Sequence, residues 1–135
     1  MPYSAKAVLA LLAVAVLSAP VSLIVQQRQD SHRRQAAAAV ATGGDPKAGR
    51  RAYLAYHCDA CHETDPAVFA KGQVGPSLKG VAQRTEIAGR LSNQPDVLVA
   101  WIHHPQALAP GSGMPEQGLT DKDARDIAAW LLSRK

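Results

Sequence analysis

Cys58-Asp59-Ala60-Cys61-His62 places two cysteines within one turn of chain and a histidine directly after the second. Cys-x-x-Cys-His is the spacing that attaches a c-type haem, because one helical turn presents both thiols to the same edge of the porphyrin. The adjoining imidazole is then held at one axial position of the iron. The motif therefore predicts one covalently attached haem c.

Three other interpretations of the two cysteines are weaker. A zinc site needs four ligands, usually two cysteine pairs or a cysteine pair with a distant histidine pair, and the chain has only Cys58 and Cys61. A thioredoxin-like redox pair follows a strand, whereas residues 46–57 have helical character. A structural disulfide across two intervening residues would constrain almost nothing. The haem interpretation is the one that the context favours.

The second axial ligand is predicted by elimination. Of the two methionines, Met1 precedes an apolar segment, so Met114 in Pro110-Gly111-Ser112-Gly113-Met114-Pro115 is the available thioether. Glycine and proline on both sides favour a loop that can approach a porphyrin closely. The alternative for Met114 is a gap-filling core position. His103 and His104 are competing ligands, but they precede Pro105, and a helix C-terminal or solvated role is typical of that position.

Local signals around these motifs indicate helices. Asp45-Pro46 is typical of an N-cap followed by proline at the first helical position. Thr120 precedes Asp123 by three residues and so predicts a capped start for the last helix. Pro95 can begin a helix and Pro105 cannot continue one, so they bracket another. No stretch shows convincing strand alternation, and the sequence therefore predicts an all-α domain.

The N-terminal segment predicts a membrane anchor. Residues 7–25 form an almost unbroken apolar run of nineteen residues, which as a helix rises about 28 Å and nearly matches a hydrocarbon core of roughly 30 Å. A cleaved secretory signal is the alternative. We divide the chain into an anchor (1–27), a linker (28–44) and a domain (45–135). The linker can extend the anchor helix, and Thr42-Gly43-Gly44 is expected to end that helix and to supply a hinge.

The distribution of charge says little about protein partners and gives no support for nucleic-acid binding. Residues 1–41 hold four Lys or Arg against one Asp, which leaves eleven against ten in the rest of the chain. The net charge of +4 therefore belongs mostly to the anchor and linker, and it is no argument for nucleic-acid binding. Lys71, Lys79, Arg84 and Arg90 either form a local basic ring that steers an acidic partner or are scattered solubilising charges.

Residues 45–135 resemble the class I cytochromes c. The order of a glycine-containing first helix, the haem motif, a Gly-Pro turn, a tryptophan-bearing helix and a methionine loop is similar to that family. The features that carry the likeness are Cys58-Asp59-Ala60-Cys61-His62, Gly75-Pro76-Ser77-Leu78, Trp101, Met114 and Ala129-Trp130-Leu131. Residues 75–107 look most like the cytochrome c domains associated with haem-copper oxidases of the caa3 type. The resemblance implies three to five helices around one covalent haem.

The resemblance also implies residue roles. It gives Cys58 and Cys61 as thioether attachments, and His62 and Met114 as the two iron ligands. The carbonyl of Pro76 is expected to accept a hydrogen bond from the ligand histidine, which would fix the imidazole plane. Trp101 is expected near the haem propionates, with a plain core position as the alternative. A crossing of the terminal helices is implied for four further residues: Gly49, Tyr53, Ile127 and Trp130.

The predicted function is single-electron transfer in a respiratory or photosynthetic chain, and not enzymatic catalysis. The implied partners are a quinol-oxidising complex or other donor and a haem-copper oxidase or other acceptor. Lys6 precedes the apolar run while Arg28, Arg33 and Arg34 follow it, so a positive-inside count would leave the domain in the cytoplasm. Family resemblance outweighs that count, because c-type haems are attached outside the bacterial inner membrane. The expectation is thus a single-pass inner-membrane protein with a periplasmic haem domain.

Two alternatives to a mobile carrier stay open from the sequence. The protein could be a fixed redox subunit of a larger membrane complex. It could also be a haem-based ligand-binding or peroxidase protein, if Met114 is not a ligand and the iron keeps an open position.

Overall fold

The structure is a computed structural model that describes residues 4–64 and 72–134. Its contacts divide the chain into two compact units, residues 1–33 and 34–135. Within the described residues the elements are α1 (Ala5–Thr42), α2 (Pro46–Ala55), β1 (Glu86–Ile87), β2 (Leu91–Ser92), α3 (Pro95–His103), α4 (Pro105–Leu108) and α5 (Asp121–Leu132), with 3₁₀ turns at Cys58–Ala60 and Val81–Gln83. The all-α prediction is confirmed.

The first unit contains the apolar part of α1 and the beginning of its polar part. Its most apolar stretch has a mean hydropathy of 2.7, and the helix from Ala7 is long and apolar enough to cross a membrane. Its large side chains are exposed to the surroundings, as Leu11 and Leu17 illustrate at 71% and 72%. Such exposure suits a lipid environment. Pro20 lies inside the helix, which transmembrane helices tolerate better than soluble ones.

In the second unit, the end of α1 is bonded to α5. Gly43 adopts a left-handed conformation with φ of 70°, a common way to end a helix. A guanidinium nitrogen of Arg125 donates to the Thr42 carbonyl at 3.2 Å, and the backbone N–H of Asp45 donates to the Asp126 carboxylate at 2.7 Å. A Cβ on Gly44 would lie 2.3 Å from the Arg125 carbonyl oxygen. Helix α1 ends where the sequence predicts. Residues 42–45, however, are hydrogen-bonded to α5 and so are not the flexible hinge that the sequence suggested.

Helices α2 and α5 cross closely and form the centre of the second unit, to which the haem motif belongs. We call this helix pair the frame. A Cβ on Gly49 would lie 1.8 Å from the Asp126 carbonyl oxygen, so no other residue fits without separating the helices. The rings of Tyr53 and Trp130 pack with centroids 4.8 Å apart at an interplanar angle of 49°. Ile127 is 2% exposed in the same core. The implied crossing of these four residues is therefore present.

The buried side of α3 packs against α5 and completes the core. Leu98, Val99 and Ile102 are each at most 6% exposed. Between the haem motif and α3 the chain forms a hairpin in which Ile87 pairs with Leu91. Its turn contains Ala88 and Gly89, both with positive φ. This hairpin was not predicted, because two-residue strands are too short to show alternation.

The two predicted helix caps are present. The Asp45 side chain accepts from the backbone N–H of Lys47 at 2.9 Å. The Thr120 hydroxyl accepts from the N–H of Asp123 at 3.1 Å and donates to its carboxylate at 2.7 Å. The Tyr56 hydroxyl of α2 donates to the same carboxylate at 3.0 Å. The start of α5 is thereby joined to the end of α2.

Candidate haem-binding site

The haem motif follows α2 directly and forms a tight turn. His57 has a φ of 54°, in the left-handed region, and turns the chain from α2 into the 3₁₀ turn Cys58–Ala60. The backbone N–H of Cys61 donates to the Cys58 carbonyl at 3.3 Å, and that of His62 to the same carbonyl at 2.9 Å. In a 3₁₀ turn the side chains three residues apart lie on the same side. The fold therefore presents both thiols together, as attachment to one porphyrin edge requires.

The environment of the cysteines does not suit a redox-active dithiol. They are half-buried and not joined to each other. Burial raises the pKa of the Cys58 thiol to about 11, whereas reactive Cys-x-x-Cys pairs depend on a lowered thiol pKa. Within the described ranges 4–64 and 72–134, no three His, Cys, Asp or Glu side chains converge to suit a metal ion. The raised pKa of the Cys58 thiol therefore argues against the thioredoxin-like interpretation.

His62 is oriented by the loop that contains Gly75 and Pro76. Its Nδ1 lies 2.8 Å from the Pro76 carbonyl oxygen. Because a carbonyl only accepts, Nδ1 carries the proton and Nε2 is the nitrogen left for a metal. The carbonyl partner that the resemblance implied at Pro76 is present. The backbone N–H of Gly75 donates to the Cys61 carbonyl at 2.8 Å and brings this loop against the motif.

Gly75 is a site residue that the sequence did not single out. A Cβ at this position would lie 2.6 Å from Cε1 and 2.7 Å from Nδ1 of His62. These distances are far below van der Waals contact, so the imidazole occupies the space that any side chain at this position would need. The Gly-Pro dipeptide was the available signal, but it indicates a turn and not a contact with a ring.

Tyr53 is a second residue whose role at the site was missed. Its hydroxyl donates to the His62 carbonyl at 3.0 Å, and the residue is 1% exposed. Burial raises the pKa of this hydroxyl far above its ordinary value, so it remains a neutral donor. The α2–α5 frame is thereby connected to the histidine. The resemblance implied only a packing role for Tyr53.

Two of the proposed docking cations hold the loop around Pro76. The Lys79 ammonium pairs with the Glu63 carboxylate and lowers the pKa of that carboxyl. The Arg84 guanidinium donates to the carbonyls of Ser77 and Lys79 at 2.6 and 2.9 Å. These side chains therefore have structural contacts besides any role in docking. Lys71 lies outside the described residues.

Met114 lies in a separate loop, residues 109–116, which we name the methionine loop. Met114 is half-buried, and its backbone carbonyl accepts from the side-chain amide of Gln106 at 2.6 Å. Among the described residues, no hydrogen bond joins this loop to the motif or to residues 72–79. The structure thus presents two independent supports, one for His62 and one for Met114.

The other candidate ligands and Trp101 lie on or beside α3. His103 ends the helix, and the imidazole of His104, 60% exposed, lies 3.3 Å from the Glu116 carboxylate. A surface cleft of about 370 Å³ beside them is lined by neither cysteine, nor His62, nor Met114. Trp101 is half-buried against the core. Its position near the haem propionates stays a prediction.

These residues fit a c-type haem. Two thiols share one turn, the imidazole next to them is bonded through Nδ1 and so leaves Nε2 for a metal, and a glycine lets the backbone approach the ring closely. A thioether is available from a loop without regular structure. An imidazole and a thioether are a pair of ligands that low-spin electron-transfer haems use.

Comparison with known proteins agrees with this geometry. The chain is 35% identical to cytochrome c2 of Rhodopila globiformis over 105 residues, covering 68% of this chain and 95% of that protein. It is 36% identical to cytochrome c2 of Rhodoblastus acidophilus over 107 residues, or 68% and 94%. It is also 35% identical to cytochrome c oxidase subunit 2 of Alkalihalophilus pseudofirmus over 89 residues, covering 64% of this chain but only 25% of that subunit. The family model "Cytochrome c" matches residues 46–135. The chain therefore belongs to the cytochrome c family, whose domain implies a covalently bound haem c.

Proposed function

We propose that this cytochrome is a one-electron carrier in which side chains of the chain fill both axial positions of a single haem. Cys58 and Cys61 form the thioethers, and His62 and Met114 are the ligands. Family membership supports electron transfer by a monohaem cytochrome. The observation that carries the specific assignment is the 2.8 Å contact between His62 Nδ1 and the Pro76 carbonyl, because it leaves Nε2 as the ligating atom.

The residues around the site suit repeated electron transfer. The bound haem supplies the one-electron chemistry itself. His62 is held by three neighbours, the Pro76 carbonyl, the Gly75 backbone and the Tyr53 hydroxyl. A ligand held in this way changes position little between oxidation states, and a thioether as second ligand raises the reduction potential. A carrier needs this combination of a fixed geometry and a raised potential.

Replacement of Met114 tests the assignment. Met114→Ala removes the thioether, so the potential should fall and the ferrous protein should bind carbon monoxide. Met114→His should keep carbon monoxide out while still lowering the potential, since imidazole replaces the thioether. Potentiometric titration and carbon monoxide difference spectra measure both effects. If wild type binds carbon monoxide as readily as Met114→Ala does, the protein is instead a ligand-binding or peroxidase haem protein.

The electron acceptor that we propose is a haem-copper oxidase. The likeness to an oxidase subunit supports this acceptor, although the chain spans only a quarter of that subunit and nearly all of the cytochrome c2 relatives. Arg90 is the appropriate charge probe, because it is exposed while Lys79 and Arg84 support the Pro76 loop. Arg90→Glu should slow transfer to purified oxidase and weaken its salt dependence. Lys47→Glu, at the start of α2, gives the same change in net charge as a control.

Three results separate the possible partners. Slower transfer with Arg90→Glu alone supports docking to the oxidase. Equal slowing by both variants indicates a net-charge effect. Fast transfer to another acceptor beside slow, charge-insensitive transfer to the oxidase contradicts this acceptor. Copurification of the cytochrome in fixed stoichiometry with a membrane complex would show a fixed subunit and not a shuttle.

We further propose that α1 anchors the haem domain to the outer face of the inner membrane. The length, apolar composition and exposure of its first part support an anchor. Intact-mass measurement of membrane-extracted protein should therefore find the segment 7–25 retained. A mature protein that begins after that segment would show a cleaved signal, and protease accessibility in spheroplasts tests the side on which the domain lies.

A further inference from the structure

Gln106 is bonded to the methionine loop at several positions. It is half-buried at the second position of the short helix α4. Its side-chain Nε2 donates to the Ser112 carbonyl at 2.9 Å, to the Ser112 hydroxyl oxygen at 3.0 Å and to the Met114 carbonyl at 2.6 Å. Its Oε1 accepts from the Gly111 N–H at 3.0 Å. One amide therefore contacts the loop at three positions up to and including the ligand residue.

The backbone of Gln106 extends this support past Met114. Its N–H donates to the Glu116 carboxylate at 3.0 Å, and the other oxygen of that carboxylate lies 3.3 Å from the His104 ring. The loop is thus held on both sides of Met114 by Gln106 in the first turn of α4. Both supports lie outside the loop.

The methionine loop has little support of its own. Among the described residues, the one backbone–backbone hydrogen bond inside the loop runs from the Ser112 N–H to the Ala109 carbonyl at 3.0 Å, and one more, from the Ala109 N–H to the Pro105 carbonyl at 2.9 Å, joins its start to α4. The loop also contains Gly111 at a φ of 79°, and Cβ atoms added at Gly111 or Gly113 would meet no protein atom within 4 Å. With one backbone–backbone hydrogen bond inside it, the loop depends for the position of its backbone mainly on the side chain that bonds it.

We infer that Gln106 is the positioning residue of the methionine ligand, and that its amide determines how readily Met114 leaves the iron. This inference rests on the proposed function, in which Met114 is a ligand. The Met114 carbonyl belongs to the same residue as the thioether, so fixing that carbonyl limits where the sulfur can move. Without the amide, the loop gains conformational freedom in the detached state and loses hydrogen bonds in the attached one.

The test is the affinity of the ferric holoprotein for imidazole, which competes with the thioether for the iron. Gln106→Leu keeps the side-chain bulk and removes all four side-chain hydrogen bonds. It should bind imidazole about tenfold more tightly than wild type, as expected for the net loss of one to two hydrogen bonds. The haem content should stay near wild type, and the free energy of unfolding should fall by no more than the same tenfold ratio, about 1.4 kcal/mol. Gln117→Leu, an exposed glutamine beyond Met114, is the matched control and should bind imidazole as wild type does.

The outcomes separate the two claims. Wild-type affinity in Gln106→Leu, or an equal rise in Gln117→Leu, overturns the positioning role. A ferric wild type without the far-red charge-transfer band of methionine ligation overturns the proposed function instead. If Gln106→Leu does not fold, Gln106→Glu replaces it, since it keeps an acceptor for the Gly111 N–H and lacks the Nε2 donors. It too should bind imidazole more tightly, and unchanged affinity would contradict the inference.

Discussion

The two proposed iron ligands are supported in different ways. His62 lies in a motif tied to residues 72–79 by backbone hydrogen bonds, by a ring-to-backbone contact at Gly75 and by a bond from the buried Tyr53. Met114 lies in a loop held by Gln106, whose side-chain amide donates to the Met114 carbonyl and whose backbone N–H donates to the Glu116 carboxylate of the loop. Through Tyr53, His62 is therefore connected to the packing of α2 against α5, whereas the methionine loop is bonded to the domain mainly through Gln106. Substitutions on the histidine side should therefore affect folding, and substitutions in the loop should affect ligation.

The largest effect is expected from Gly75→Val. Its Cβ would overlap the His62 ring, so either the imidazole or the Pro76 loop must move and the 2.8 Å contact is lost. We expect destabilisation of about 3 kcal/mol and a strongly reduced yield of holoprotein, measured by haem absorbance per polypeptide. Gly113→Ala is the control in the methionine loop: a Cβ there meets no protein atom within 4 Å, so any effect should fall on ligation and the yield of holoprotein should stay near wild type. Similar yields of holoprotein for both variants would contradict the difference between the supports of His62 and Met114.

Tyr53→Phe should have a smaller effect on the same side. It leaves the ring packed on Trp130 and removes the bond to the His62 carbonyl. The free energy of unfolding should fall by about 1 kcal/mol, by denaturant titration, while imidazole affinity stays at the wild-type value. An increase in imidazole affinity instead would show that the two supports are coupled.

Acid should lower the stability of the domain by protonating the Asp123 carboxylate at the start of α5. Hydrogen bonds from the Thr120 hydroxyl, and then from Tyr56, lower the pKa of the Asp123 carboxyl below its ordinary value. The stability from this carboxylate is therefore present above the unfolded-state pKa of about 4. It is lost as the pH falls through the lower folded-state value. Asp123→Asn should flatten the acid side of the Tm profile of the holoprotein, and a profile as steep as that of wild type would contradict this.

The smallest effect is expected at His57. A left-handed φ of 54° is costly for a residue with a side chain, so His57→Gly should stabilise the turn by about 0.5 kcal/mol after the entropy cost of glycine. Ala88→Gly, at a φ of 51° in the hairpin turn away from the motif, is the matched comparison. Denaturant titration measures both. A loss of stability in His57→Gly alone would indicate that the imidazole itself contributes to the histidine side.

The sequence predicted the features that depend on neighbouring residues. The haem motif, the caps at Asp45 and Thr120 and the ends of α3 involve residues at most a few positions apart. The Pro76 contact and the α2–α5 crossing followed from family resemblance, and the structure confirms their geometry.

The remaining features depend on contacts that no local pattern encodes. The amide of Gln106 reaches eight residues along the chain to Met114, and a polar residue in a four-residue helix has no periodicity to mark it. Arg125 reaches eighty-three residues back to Thr42, so a Gly-Gly pair that indicates a hinge is instead fixed by a distant helix. The fit of Gly75 against a ring appears only when both are placed in space.

X-ray absorption at the iron edge of the ferric holoprotein tests directly whether His62 and Met114 are the two iron ligands. We expect one sulfur in the first coordination sphere of the iron, since the thioether sulfurs of Cys58 and Cys61 are bonded to the porphyrin and not to the metal. That sulfur should disappear in Met114→Ala and persist in Gln106→Leu without added imidazole. A first sphere of nitrogen and oxygen alone in wild type, or a sulfur that survives in Met114→Ala, would contradict it.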